Sequence, residues 1–147
     1  MKKDFELRVS SVEWKSYEHP CLFDQSRIPG LLLQIVRGQE NQRLDAADDL
    51  LDVTAHQGNV GPSAVPTAGF LIEMLEEMPP SVQAAILEIL FYFSYYCRRA
   101  WSTDAWSTEL RAPFLNGLLL FRHLSTSADE DVSDCSAVII ENLQADD

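Results

Sequence analysis

The chain has 147 residues, 46% of them hydrophobic and 23% charged, with 6 Gly and 7 Pro. That is one domain's length with enough apolar material for a real core, and it excludes a disordered, collagenous or low-complexity chain. Eleven Lys and Arg stand against 23 Asp and Glu, a formal charge of −12, which argues against nucleic acid as a ligand and for a basic protein partner.

Met1, Lys2 and Lys3 open like a signal peptide, but the charged run Asp4-Phe5-Glu6-Leu7-Arg8 follows in place of an apolar segment, so export by that route is not expected. The longest apolar run, Ala84 to Cys97, contains Glu88 and is too short to cross a bilayer; it reads as a buried helix, and no membrane is expected as a partner. Cys21, Cys97 and Cys135 are odd in number and widely spaced, which gives neither a disulfide framework nor a CxxC pair and implies a reducing, cytoplasmic setting.

In chain order, Phe5, Leu7 and Val9 alternate as a strand would. A first clear helix is predicted over Ile28 to Arg37, with Pro29 in its opening turn and Gly38 as its stop. A second starts on an Asn41 cap and buries Leu44, Ala47, Leu51 and Ala55, with Gly58 ending it and a turn over Gln57 to Pro62. A third runs from Ser63 to Met78, and Pro79-Pro80 closes it. Ser81 caps a fourth that reaches Arg99 and is apolar almost all round, as a central helix should be. Arg98 to Arg111 reads as a polar, Trp-containing loop, Pro113 to Leu124 as a fifth helix, Ser125 to Asp131 as an acidic connection and Val132 to Leu143 as a last helix.

Shifted by 39 residues, Gly30-Leu31-Leu32-Leu33-Gln34-Ile35-Val36 lies on Gly69-Phe70-Leu71-Ile72-Glu73-Met74-Leu75, and Ala46, Asp49, Leu50 and Leu51 lie on Ala85, Glu88, Ile89 and Leu90. A period near 40 with two helices per unit marks an α-solenoid. A looser third copy sets Pro113-Phe114-Leu115 on Gly69-Phe70-Leu71.

Gln42-Arg43-Leu44-Asp45-Ala46 opening a second helix, Ala55-His56-Gln57-Gly58 at its end and Phe70 to Leu75 in the next first helix resemble the HEAT-repeat family, in particular small bacterial HEAT-like proteins, over roughly Val12 to Cys97. The resemblance implies an all-α, right-handed α-solenoid of about three helix pairs without substantial β-sheet. It divides a single domain into an N-terminal cap (1–25), a first repeat (28–58), a second (62–99), an insertion (100–111) and a divergent third with the acidic C-terminus (112–147). Val82 stands where Arg43 has its counterpart, so the second repeat departs from the family pattern.

Asp48-Asp49-Leu50-Leu51-Asp52 spells the DDxxD motif of isoprenoid synthases, which hold magnesium against a diphosphate. A second acidic motif and a large helical bundle are missing, and with Asp45 these carboxylates form one helical stripe, an acidic face for solvent or a partner. His19, His56 and His123 are far apart, His19 with Cys21 lacks two further zinc ligands, and no GxSxG, GxGxxG or GxxxxGK[ST] occurs. No catalytic residue, metal or cofactor is therefore expected.

Glu88, Tyr92, Tyr95 and Arg99 share a stripe of the fourth helix, and Tyr and Arg dominate binding hot spots. Trp101 and Trp106 lie in the polar insertion, where they either fold back on the helices or meet a partner. The last 25 residues hold seven carboxylates and no Lys or Arg, which would steer a basic protein or simply solubilise the chain. The expected function is non-catalytic binding of another, basic protein by a monomer or weak homodimer, for example an immunity protein covering a toxin's active surface. The alternatives are an adaptor joining two proteins and a HEAT-like lyase or DNA-base glycosylase, the last opposed by the charge.

Overall fold

Phe5 and Val9, four residues apart, are both buried, while Leu7 between them is 70% exposed. The alternation near the start is therefore one side of a helix, α1 (Phe5–Ser11), and not a strand. The computed structural model describes residues 4–20, 22–98 and 104–145. Among them it holds eight α-helices, short 3-10 turns and one two-residue hairpin, an all-α protein.

The first clear helix forms where its sequence predicts, as α2 (Ile28–Arg37), burying Ile28, Leu31, Leu32 and Ile35. The second, α3 (Glu40–Thr54), begins before Asn41: Gln39 is the cap residue, and its N–H donates to Gln42 Oε1 at 2.9 Å. It also ends before Ala55, where the Thr54 hydroxyl turns back to the Leu50 carbonyl at 2.6 Å. Ala55 and His56 then form β1 (Ala55–His56), antiparallel to β2 (Asn59–Val60), so His56 lies in a hairpin and not at a helix terminus. Gln57 (φ 53°) and Gly58 (φ 79°) are both left-handed, the conformation a two-residue turn needs to match the strand twist.

The third helix, α4 (Ala64–Met74), tightens into a 3-10 turn at Leu75–Glu77. Pro79 rather than Ser81 is the cap residue of α5 (Pro80–Tyr95), and the Ser81 hydroxyl donates to Glu40 Oε1 instead. Burial of Val82, Ile86, Leu87, Ile89, Leu90 and Phe93 makes α5 the central helix its composition predicts.

The loop predicted over Arg98 to Arg111 is helical in its second half. Helix α6 (Ala105–Asn116) carries Pro113 inside it, and α7 (Leu118–Leu124) follows Gly117. Ser107, Leu110, Phe114, Gly117, Phe121 and Leu124 are all buried at alternating spacings of three and four, which drives helix across the whole stretch. Gly117 divides it: a Cβ there would stand 2.9 Å from Ile72 Cγ2 and 3.3 Å from Phe121 Cε2, so α4 and α7 close in on bare backbone. The last helix, α8 (Glu130–Gln144), is capped by the Asp129 carboxylate, which accepts from Val132 N at 3.1 Å.

Two rows of helices share one core. In one, α3 packs on α5 and α5 on α8; in the other, α2 packs on α4 and α4 on α6. The rows are joined where α2 meets α3, α4 meets α5 and α7 meets α8. Between α5 and α8 a buried polar link holds the register: Asn142 Nδ2 donates to Ser94 Oγ at 2.8 Å, and Ser94 donates to the Phe91 carbonyl. On the outside, Arg8 clamps α1 to α4 by a two-pronged pair with Glu73 and lies 5.7 and 5.9 Å from the Phe5 and Phe70 ring centres.

Candidate functional site

Charge is divided between the rows. Helices α3, α5 and α8 carry ten carboxylates and one arginine, while α2, α4, α6 and α7 carry two carboxylates and three arginines. The single arginine, Arg43, points inward and donates to the Val36 carbonyl at the end of α2, at 3.2 Å, and not to a carboxylate. On α3, Asp45, Asp48, Asp49 and Asp52 are exposed while Ala46, Ala47, Leu50 and Val53 face the core, so the four form the outward stripe their spacing predicts. Asp49 pairs with Arg27 at 3.0 Å, both half exposed, and the other three make no ion pair among the described residues.

Beside that stripe a groove of about 410 Å³ runs between α5 and α8. Ala84, Ala85 and Cys135 leave it room because they are small, Phe91 and Tyr92 supply aromatic wall, and the exposed carboxylates Glu88 and Asp131 complete it. The Phe91 ring stands edge-on to both neighbours, 5.4 Å from Tyr92 and 5.1 Å from Tyr95, which fixes the wall. Burial pushes the Cys135 thiol above its ordinary value, and the negative charges of Asp131, Glu88 and Asp134 push it further. Those carboxylates thus converge on one sulfur from two helices, and none of the three makes an ion pair among the described residues.

Glu88 and Tyr92 are therefore brought together in the groove, with Tyr95 one turn on and behind Phe91. Arg99 and Trp101 lie outside the described residues. Trp106 is on α6, half-buried, with its ring 5.6 Å from Tyr96. Tyr96, which the sequence does not single out, ties the hairpin to the end of α5: its hydroxyl lies 3.4 Å from Val60 N and donates to the Gly58 carbonyl at 3.3 Å. Of the groove residues, Asp131 and Cys135 were not foreseen as its members because they meet Glu88 only through the packing of α5 on α8.

Cys97 is fully buried, and desolvation pushes its thiol from the ordinary 9.0 up to about 12, partly opposed by the Arg111 charge. The folded state thus keeps a proton that the unfolded chain loses, so stability falls as pH rises from about 9 toward 12. Urea titrations across that range should show the fall and a flatter one in Cys97→Ala, and native Cys97 should resist iodoacetamide at pH 8; an unchanged slope in the variant would contradict the assignment.

Among the described residues no group of three or more His, Cys, Asp or Glu side chains is placed to hold a metal ion, and no helix is long and apolar enough to cross a membrane. Comparison with family models, with curated proteins and with solved structures finds no match for the chain.

Proposed function

We propose that the protein is a non-catalytic binding module that presents the α3–α5–α8 face to a basic protein, built as a short right-handed α-solenoid of HEAT-like helix pairs. The row contacts α3 to α5 to α8 and α2 to α4 to α6 support the solenoid reading. The observation that carries the function is the charge division: nearly all the unbalanced negative charge sits on one row, around a groove with aromatic walls. Such a face attracts a basic surface at long range and gives it apolar area at contact. The partner class we favour is a basic toxin whose working surface the module covers in the cytoplasm, as an immunity protein does.

A second reading, an adaptor, is favoured by one observation: Leu115 and Leu119, 45% and 77% exposed, lie four residues apart on the other row and offer a separate apolar surface.

Capture by the tagged protein from its own host at low and high salt, with mass spectrometry, supplies the partner. Replacing Asp45, Asp48, Asp49 and Asp52 by Asn should then lower its association rate about tenfold or more at low ionic strength and flatten the salt dependence. An unchanged rate and slope would overturn the reading, and a partner lost on Leu119→Gln instead would favour the adaptor.

A further inference from the structure

We propose that the groove between α5 and α8 is an arginine socket: it takes the guanidinium of one arginine of the protein partner, laid against the Tyr92 and Phe91 rings, with Glu88 and Asp131 as its counter-ions. The proposal rests on the reading of the α3–α5–α8 face as a protein-binding surface and says which side chain that face recognises at its centre.

Three properties of the groove select this occupant. Its volume, about 410 Å³, falls in the range of roughly 300–1,000 Å³ typical of ligand sites, and most of its lining is apolar. An aliphatic side chain alone would leave the Glu88 and Asp131 carboxylates in the lining without a cation. Glu88 and Asp131 line the groove from two different helices, and with Asp134 they act together on the Cys135 thiol, so the groove is negative where a cationic group would enter.

The aromatic wall then distinguishes arginine from lysine. A guanidinium is planar and weakly hydrated, stacks on a ring face and still directs N–H groups sideways to carboxylates; an ammonium keeps its water and offers no plane. Phe91, held edge-on between Tyr92 and Tyr95, cannot easily turn away, so the wall is formed before the partner arrives.

The test uses the full chain, isotopically labelled, at low ionic strength, with three probes: Nα-acetylarginine amide, Nα-acetyllysine amide and Nα-acetylcitrulline amide, the last an uncharged isostere of the first. Arginine should give saturable NMR shifts confined to the groove, at Ala85, Glu88, Tyr92 and Cys135, and slow the alkylation of Cys135. Lysine and citrulline should each bind about fivefold more weakly or worse. Tyr92→Leu, which keeps an apolar side chain, should cost about fivefold in arginine affinity, and Glu88→Gln should narrow the gap between arginine and citrulline. Both positions are at least partly exposed, and the spectrum of each variant shows whether it is folded.

Equal binding of arginine and lysine, shifts centred on Asp45 to Asp52, or no saturable shift would each overturn the socket. The capture experiment is independent of these outcomes. If α3 neutralisation weakens the captured partner while the groove ignores arginine, the socket falls and the acidic-face reading stands.

Discussion

Replacing Arg111 by Met should lower the unfolding free energy by about 2–4 kcal/mol, the cost of two charge-assisted hydrogen bonds to main-chain carbonyls. Arg111 projects from α6 and donates to the Cys97 carbonyl beyond α5 at 2.5 Å and to the Leu143 carbonyl near the end of α8 at 2.6 Å. Carbonyls at helix ends lack intrahelical partners and carry the negative pole of the helix dipole, so a cation held between two such ends satisfies both orphans at once. Methionine fills much of the volume and leaves both oxygens to find water. Lysine keeps the charge but lacks the planar fork, so Arg111→Lys should recover no more than about half of the loss. Urea unfolding with an unchanged m-value is the measurement; a loss below about 1 kcal/mol for the Met variant would show that water replaces the guanidinium without cost.

Phe114→Ala should cost about 3–5 kcal/mol, as removal of a fully buried aromatic ring does. Phe114 has no exposure and stacks on Phe121, with ring centres 5.8 Å apart and planes 19° apart. The stack spans the break at Gly117 and joins α6 to α7. The variant should therefore lose amide exchange protection over Leu118 to Leu124 before it loses protection in α5. Equal loss everywhere would mean that the packing of α7 on α8 alone holds α7 in place.

How far the sequence reveals this protein depends on which residues a signal needs. Ile28 to Arg37 could be read to the residue because Pro29 and Gly38 mark its two ends and a dense apolar run lies between them. The outward stripe Asp45, Asp48, Asp49 and Asp52 was equally legible, since the geometry of one helix fixes it. Helix α1 is hidden in the sequence because Leu7, an exposed apolar residue, gives Phe5, Leu7 and Val9 the alternation of a strand. Helix α6 was missed because Trp106, Arg111 and the polar residues around them obscured the spacing of Ser107, Leu110 and Phe114, and because Pro113 reads as a start although it lies near the end. The groove was half legible. Glu88 and Tyr92 stand one turn apart on α5, whereas Asp131 and Cys135 join them only through the way two helices pack, which periodicity does not encode.

The division of charge between the two helix rows has a mechanical consequence. A body whose net charge is displaced to one side has a large electric dipole moment, and a positively charged neighbour exerts a torque on it before the two touch. Toward any positively charged body that approaches, that torque draws the α3–α5–α8 side forward. Rotational search, ordinarily the slow part of finding a small patch by diffusion, is shortened before any side chain makes contact.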